Sequence, residues 1–328
     1  MLSLGTKRRV EGLTNKDYAL IMITPIYMNK DIRLSYLIIT KNKLPYLRVI
    51  LEKLLTEKKE DEEILVGDGL STDGTRKYLE EMKQKGLIEH FISESDYSVA
   101  HAMNKLVLMA HGTLLKFITD DDAFSYGAIA ACKAFMLTHS DIDIVNTEGG
   151  VLHTPSQNFR KEDPLKVVRA LRYVDDYREW QKNHKPFSFC ELGMMFRRSS
   201  IPLIGLRDPS FHRADAEFSL RVSAGKAKIA WYNSYSYVNI MNPQSVSLTK
   251  MKEMKLEMDR LNKFYLAKNP DPFVIEKLKI ARNKLRIYLA SKKRKALTDF
   301  DTKWPDLMRV AEKWMEIKNA EIKPEFIY

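Results

Sequence analysis

Short apolar runs alternate with helical stretches between residues 34 and 137, and no other feature of the sequence restricts the fold as strongly. Each run has the length of a buried strand, and each is followed by apolar residues at helical spacing. The predicted strands are residues 34–39, 63–66, 88–92 and 113–118, and the last predicted helix is 123–137. Strands separated by helices form βαβ units, so we expect an α/β fold with a mostly parallel sheet flanked by helices.

The pattern is looser after residue 140. Further strands are predicted at 142–145, 187–190 and 227–232, with a polar helix at 163–183 and another helix that Gly225 ends. Long amphipathic helices are predicted at 251–265, 274–288 and 304–318, because apolar residues recur there at steps of three and four. The stripe at 251–265 predicts a face docked on the preceding domain, with a coiled-coil face as the alternative.

The positive charge is concentrated near the C-terminus. Residues 250–296 hold 15 lysines and arginines against 5 aspartates and glutamates, which accounts for +10 of the net charge of +11. Such a segment attracts anionic membrane surfaces at about 1 kcal/mol per basic residue. A solvated face is the alternative, and nucleic acid is not expected because no stacking aromatic residues are interleaved with the charges.

Composition excludes several classes of protein. With 328 residues, of which 45% are hydrophobic, the chain can bury a full core, so wholesale disorder is excluded. Two cysteines, Cys132 and Cys190, cannot form a disulfide framework. The apolar run at 19–28 is short, contains a proline and lacks a cleavage site, so we expect a soluble, cytoplasmic protein without a signal peptide.

Polar and acidic residues follow each of the first four predicted strands. These strand ends read Thr-Lys-Asn at 40–42, Gly-Asp-Gly at 67–69, Ser-Glu-Ser-Asp at 93–96 and Thr-Asp-Asp-Asp at 119–122. Ligands of parallel α/β sheets bind outside the carboxyl ends of the strands. Aspartates on three of these four ends therefore predict a ligand site on this edge.

Asp120 and Asp122 are the candidate metal ligands. Alternate residues at a strand end point the same way, and two converging carboxylates need a cation. A few hard oxygen ligands suit Mg²⁺ or Mn²⁺, with phosphate oxygens completing the coordination. The alternative is that Asp122 only caps the helix at 123–137.

Three further polar residues could contact a nucleotide. Asp68 lies between two glycines and could accept the imide N–H of a uracil ring, or it could belong to an ordinary turn. Asp96 and Asn104 could contact ribose or phosphate. The alternatives are that Asp96 caps the next helix and that Asn104 is solvated.

Four segments come in the order and spacing of a known family. They are residues 40–42, 64–75 (Ile-Leu-Val-Gly-Asp-Gly-Leu-Ser-Thr-Asp-Gly-Thr), 94–104 (Glu-Ser-Asp-Tyr-Ser-Val-Ala-His-Ala-Met-Asn) and 117–122 (Phe-Ile-Thr-Asp-Asp-Asp). Together they resemble the family 2 glycosyltransferases of the GT-A fold, over about residues 33–248. The resemblance implies an N-terminal extension (1–31), a Rossmann-like catalytic domain (32–248) and a basic helical extension (249–328). It divides the catalytic domain into a nucleotide-sugar half (32–122) and an acceptor half (123–248).

The resemblance also implies roles for individual residues. Asp68 becomes the uracil contact, and Asp120 and Asp122 the metal and diphosphate site. The other residues that it places beside the nucleotide are Thr40, Asn42, Asp96, Asn104 and Asp121. Asp215 becomes the general base, with Glu217 as the second choice, although Ala214 replaces the first acid of the family's acidic pair. Ser98 and His101 also depart from the family pattern, at the donor-sugar edge.

The activity implied is metal-dependent, inverting transfer of a hexosyl or N-acetylhexosaminyl group. The donor would be a nucleoside-diphosphate sugar, first of all a UDP-sugar, and the acceptor a hydroxyl of a glycan or lipid-linked molecule, with peripheral contact to the inner membrane face. Two alternatives remain. A glycoside hydrolase also uses paired carboxylates but needs no nucleotide. A basic adaptor for membrane or nucleic acid would tolerate changes of Asp120, Asp122 and Asp215. The sequence predicts neither the acceptor nor the oligomeric state.

Overall fold

The computed structural model describes residues 31–153, 167–170, 173–242, 245, 250–267 and 300–328. A ten-stranded sheet runs through this part of the chain. The first half supplies the strands β1 (Leu34–Thr40), β2 (Glu62–Asp68), β3 (His90–Ser93) and β4 (Leu114–Thr119). Their connecting helices are α1 (Leu44–Glu57), α2 (Thr75–Gln84) and α3 (Val99–Met109). β3, β2, β1 and β4 lie side by side in that order, all parallel, which confirms the predicted fold class.

The second half extends the sheet with antiparallel and parallel pairs. Its strands are β5 (Ala123–Phe124), β6 (Ile144–Leu152), β7 (Val167–Arg169), β8 (Met195–Arg197), β9 (Ile229–Ile240) and β10 (Phe326–Ile327). Its helices are α4 (Tyr126–Thr138), α5 (Tyr173–Asn183), α6 (Ile201–Ile204), α7 (Ala214–Ala224), α8 (Met251–Leu266) and α9 (Phe300–Ala320). The order along the main path is β10-β9-β6-β8-β4-β1-β2-β3, and off this path β5 pairs with β9 and β7 with β6. β8 is antiparallel to β4 and β6, and β9 is parallel to β6.

Helices cover both faces of the sheet, because the central strands are apolar on both sides. In β1, Tyr36 and Ile38 belong to the apolar cluster that contains α1, α4 and α9, whereas Leu37 belongs to the cluster that contains α3 and α7. A parallel strand buried on both faces is expected to lack polar alternation, as these strands do. Residues 32–328 form one compact unit.

The helix starts follow recognisable local signals. Pro45 stands in the first turn of α1, where its missing N–H costs no hydrogen bond. Ser98 and Ser125 cap α3 and α4, each accepting a hydrogen bond from a backbone N–H three residues on. Asp96 and Asp122 are therefore not the helix caps that the alternatives proposed.

Several predicted elements differ from the structure. The helix predicted at 123–137 begins at Tyr126, because Ala123 and Phe124 pair with β9. Residues 187–190 do not form a strand. Phe187 instead exchanges backbone hydrogen bonds with the Ser223 hydroxyl, and its ring packs against Tyr177. The helix predicted at 163–183 is confirmed only as α5, because Val167–Arg169 form strand β7, which pairs with β6. Residues 163–166 and the helix predicted at 274–288 lie outside the described residues.

The C-terminal helix α9 is part of the main core. Phe300, Trp304, Leu307, Met308, Ala311 and Met315 are all buried against the sheet. The Trp304 ring also lies edge-on to Tyr46 of α1, with ring centroids 5.0 Å apart. Among the helices of the described residues, none has both the length and the apolar content that crossing a membrane requires.

Candidate functional site

The carboxyl ends of the four parallel strands bring the predicted site residues to one edge of the sheet. Thr40 is opposite Asp68 in the register of β1 and β2, and Asp68 is opposite Ser93 in that of β2 and β3. From β1, the Thr40 hydroxyl donates a 2.7 Å hydrogen bond to Asp120 at the end of β4. Asp68, Thr40 and Asp120 are thus connected across neighbouring strand ends.

Asp68 is buried and firmly held. Its carboxylate accepts hydrogen bonds from the Ser71 backbone N–H (3.1 Å), the Ser71 hydroxyl and the Ser93 hydroxyl (2.6 Å). The adjoining Gly69 packs closely, since a Cβ there would lie 3.2 Å from Lys41. A side chain at position 69 would therefore require Lys41 to shift slightly.

Asn42 ties the loop after β1 to the loop after β2. Its side-chain oxygen accepts a 2.8 Å hydrogen bond from the Thr72 backbone N–H, and its own N–H donates to the Ser71 hydroxyl at 2.7 Å. Asn42 has φ of 53°, a left-handed conformation that asparagine tolerates better than most residues. The structure therefore gives Asn42 a loop-joining position beside Asp68.

Asp120 and Asp121 share the ammonium group of Lys43. Lys43 Nζ lies 2.5 Å from Asp121 Oδ2 and 3.3 Å from Asp120 Oδ1. The Asn242 amide adds a 2.8 Å hydrogen bond to Asp121. Asp120 and Asp121 are thus joined through Lys43, and the predicted pairing of Asp120 with Asp122 at a metal ion stays a prediction.

Asp122 points to the end of β9. Its carboxylate accepts hydrogen bonds from the Thr119 hydroxyl (2.7 Å), the Asn239 amide (3.0 Å) and the Ile240 backbone N–H (2.7 Å). It thereby joins the two halves of the sheet at the candidate site.

Three aspartates are buried together at this edge of the sheet. Asp120, Asp121 and Asp122 are only 5, 7 and 2% exposed. Burial, and next to it the charge of Asp121, raises the pKa of both Asp120 and Asp122 to about 7. One ammonium group, that of Lys43, faces three carboxyl groups, so full ionisation leaves about two negative charges to be matched.

A divalent cation fits that charge, and the carboxylate oxygens are the hard donors that Mg²⁺ and Mn²⁺ prefer. The three aspartates do not form a compact three-ligand cage on their own. Within the described residues, the only three metal-ligating side chains with all ligand atoms within 4.8 Å of one another are Glu63, His90 and His111. Oxygen atoms from a ligand would have to complete the coordination at the aspartates.

The Glu63 group lies at the opposite edge of the sheet and is explained by the fold. The buried Glu63 carboxylate accepts hydrogen bonds from the Ser35 hydroxyl (2.6 Å) and the backbone N–H of His111 (2.7 Å). It also lies 3.3 Å from the Gly112 N–H. These bonds join β1, β2 and the turn before β4, so we assign Glu63 a structural role.

Asp96 and Asn104 both make polar contacts with other residues of the chain. Asp96 Oδ1 lies 2.7 Å from Lys105 Nζ and 3.2 Å from His101 Nδ1. The Asn104 amide donates to the Arg207 carbonyl (2.7 Å) and accepts from the Arg207 N–H (3.0 Å). Asn104 is therefore not simply solvated: it fixes the loop before α7 against α3.

The two acids of α7 have different environments. Asp215 lies in the first turn, and burial raises its pKa, opposed by the Ala216 backbone N–H and by Arg213 and Arg207. The Glu217 carboxylate is bound by the Arg221 guanidinium through two hydrogen bonds of 2.7 and 3.2 Å. Of these two acids, Glu217 is held by two hydrogen bonds from a guanidinium group and Asp215 is not.

Several residues of the site were not predicted from the sequence. Lys43 and Asn242 contact the aspartates directly, and Asn239 contacts Asp122. The Trp304 indole N–H donates a 2.9 Å hydrogen bond to the Asp121 carbonyl oxygen. Lys43 could have been predicted as a site residue, because it stands just after the polar end of the first strand. Nothing in the sequence connects Trp304 with residue 121.

Sequence comparison identifies relatives of the chain. The family model "Glycosyl transferase family 2" matches residues 35–202. The PGL/p-HBAD biosynthesis glycosyltransferases of Mycobacterium bovis and Mycobacterium tuberculosis are 27% identical over 202 residues, which cover 60% of this chain and 72% of those proteins.

Solved structures share the fold. Staphylococcus aureus TarS 1–349 in complex with UDP-GlcNAc superposes with a TM-score of 0.51 and 12% identity, over 86% of this chain and 81% of that one. The mannosyltransferase PcManGT from Pyrobaculum calidifontis, in complex with GDP-Man and Mn²⁺, gives a TM-score of 0.50 and 15% identity, over 88% and 87%. The chain covers 43% of a longer TarS structure, at a TM-score of 0.49.

Proposed function

The chain belongs to glycosyl transferase family 2, and on that premise we propose that it transfers a sugar from a nucleoside-diphosphate sugar to a hydroxyl of a glycan or lipid-linked acceptor. The observation that carries the proposal is the network of Asp68, Thr40 and Asp120 across neighbouring strand ends. Membership in this family sets aside the glycoside-hydrolase and adaptor alternatives.

The donor we favour is a UDP-sugar. Asp68 would accept the imide N–H of uracil, because it stands at the strand edge where ligands of such sheets bind. Thr40, Asn42, Asp96 and Asn104 would form the rest of the nucleotide side. The related structures hold UDP-GlcNAc and GDP-Man, so a guanine nucleotide is the first alternative to test.

We propose that Asp120 and Asp122 hold a Mn²⁺ or Mg²⁺ ion, with Asp121 beside it. The support is the buried excess of negative charge, which a divalent ion would match. When bound, such an ion would neutralise the charge that develops on the departing diphosphate. Lys43 would keep the aspartates partly compensated in its absence.

The reaction we propose is a direct displacement. The Asp215 carboxylate takes the proton of the acceptor hydroxyl while that oxygen bonds to the anomeric carbon. The bond from this carbon to the diphosphate oxygen breaks, and the nucleoside diphosphate leaves with the electron pair, so the anomeric configuration inverts. Glu217 is the weaker candidate for the base, because Arg221 holds its carboxylate.

A calorimetric titration tests the donor and the metal together. We expect UDP to bind more tightly with Mn²⁺ than without it, and this enhancement to disappear in Asp122→Ala. Asp306→Ala, an exposed aspartate on α9, serves as the control. Binding that Mn²⁺ does not strengthen, or that Asp122→Ala leaves unchanged, would contradict the metal site.

A screen of nucleotide sugars for released UDP or GDP identifies the donor. We expect release to be faster with UDP-sugars than with GDP-sugars. The opposite preference would reject the uracil role of Asp68, and no release with any donor, in the presence of cell-envelope glycans and lipids, would reject the proposed transfer.

We also propose that the basic C-terminal region (residues 250–296) binds an anionic membrane surface. In the described part of that region, the outward side of α8 exposes Leu256 and Phe264, which are 53 and 80% exposed. The exposed basic side chains around them are Lys252, Lys255, Arg260 and Lys263. Apolar side chains among basic ones are typical of helices that lie at a membrane interface.

A further inference from the structure

The loop that leads into α7 is held by a residue from the C-terminal region. Both oxygens of the Glu257 carboxylate, on α8, accept hydrogen bonds from this loop. Oε1 accepts from the His212 backbone N–H (3.1 Å) and lies 2.7 Å from His212 Nδ1, and Oε2 accepts from the Arg213 N–H (2.9 Å). Glu257 thus contacts the two residues immediately before α7.

These bonds hold the start of α7 from outside the helix. A helix start leaves backbone N–H groups without partners, and a side-chain cap usually supplies one. The residue at the cap position of α7 is Arg213, whose side chain makes no capping hydrogen bond. The buried Glu257 carboxylate, from another helix, accepts from the N–H of Arg213 itself and of His212 before it. It also brings to this helix start the negative charge that a helix N-terminus favours.

Apolar packing holds Glu257 in position. One turn further along α8, Leu261 is buried with Ala216 and Leu220 of α7, and Met258 and Tyr265 flank this contact. The packing fixes the distance between the two helices. The carboxylate therefore has little freedom to move away from the loop.

We propose that Glu257 is a positioning residue for Asp215, which lies two residues beyond the loop that Glu257 holds. This role rests on the proposed function of Asp215 as the general base. In this role Glu257 connects α8 to the acceptor side of the enzyme, although α8 lies outside the segment that the family model matches. Misplacing a reacting group by about 1 Å can cost about 100-fold in rate.

The variants Glu257→Ala and Glu257→Gln test this role in the full-length chain, with Glu253→Ala as the matched control, since Glu253 is exposed one turn earlier on the same helix. We expect kcat to fall about 10- to 100-fold in Glu257→Ala while the donor KM stays within about twofold. Glu257→Gln should recover part of kcat, because its amide oxygen can still accept from a backbone N–H. Amide hydrogen exchange should show faster exchange at His212 and Arg213 in Glu257→Ala.

Two results would speak against the role, and they can be told apart from failure of the proposed function. If wild-type enzyme transfers sugar and Glu257→Ala retains its kcat while losing only thermal stability, Glu257 is merely structural. If Glu257→Ala changes the donor KM as strongly as kcat, Glu257 does not act through the base. A wild-type chain that releases nucleotide from no donor would instead overturn the proposed function.

Discussion

Lys43 shows what a single residue does at this edge of the sheet. Its ammonium group forms ion pairs with Asp120 and Asp121 and so compensates part of the charge of the buried carboxyl groups. Strand-end position was enough to predict that Asp68 and Asp120 share one edge. The partners of the aspartates were harder to predict. Contacts such as that of Asn242 with Asp121 join residues about 120 positions apart, and a local sequence pattern does not predict such contacts.

The proposed base has a testable pH dependence. Burial raises the pKa of Asp215, and the base must be deprotonated to act, so activity rises with pH through that raised pKa. We expect the acid limb of the kcat profile to lie above the range of an exposed aspartate, about 3.9. A limb at or below that range would contradict the assignment.

Replacing the base measures its contribution. Asp215→Asn should lower kcat by about 100- to 10,000-fold and leave UDP binding unchanged, because the carboxylate acts on the acceptor and not on the nucleotide. Asp306→Asn is the control. A loss of less than tenfold would direct attention to Glu217.

At the scale of elements, the apolar runs predicted the four parallel strands, because a strand buried on both faces has a nearly continuous apolar sequence. The same reasoning failed at 187–190, where aromatic residues pack around Tyr177 and the backbone bonds to Ser223 instead of a neighbouring strand. The strand predicted at 227–232 was also too short. β9 continues through polar residues to Ile240, since it pairs with β6 along its whole length with register shifts after Thr147 and Glu148.

The outer side of α8 gives a prediction at this scale. Phe264→Ser should weaken binding to vesicles that contain anionic phospholipid about tenfold or more, because burying a phenylalanine contributes about 1.5–3 kcal/mol. Leu203→Ser is the matched control, since Leu203 is 55% exposed on α6. Sedimentation with anionic and with neutral vesicles measures the effect, and equal binding to both would contradict the electrostatic part of the proposal.

At the scale of the molecule, α9 connects the C-terminus to the candidate site. The amphipathic pattern at 304–318 predicted a helix but not its place in the main core. Periodicity indicates which face of a helix is apolar, but not which element packs against that face. The predicted boundary at 248 remains a prediction about function, because residues 32–328 pack as one unit.

Trp304 tests this connection. Trp304→Ala should lower the free energy of unfolding by about 3–5 kcal/mol, because it leaves a cavity in the core. Trp304→Phe keeps most of the packing but loses the hydrogen bond to the Asp121 carbonyl, for which we expect about 1 kcal/mol. Urea denaturation measures both, and equal losses in the two variants would contradict the cavity argument, because the ring packing that Trp304→Phe keeps would then contribute nothing.

The hydrogen bond from Trp304 to residue 121 also has a consequence for synthesis of the protein. The aspartates leave the ribosome long before Trp304 does, because the two segments are separated by about 180 residues of translation. A nascent chain that has exposed the four parallel strands β1 to β4 still lacks the indole that donates to the Asp121 carbonyl. The hydrogen bond to the Asp121 carbonyl can therefore form only after the chain has grown by about 180 residues beyond the aspartates.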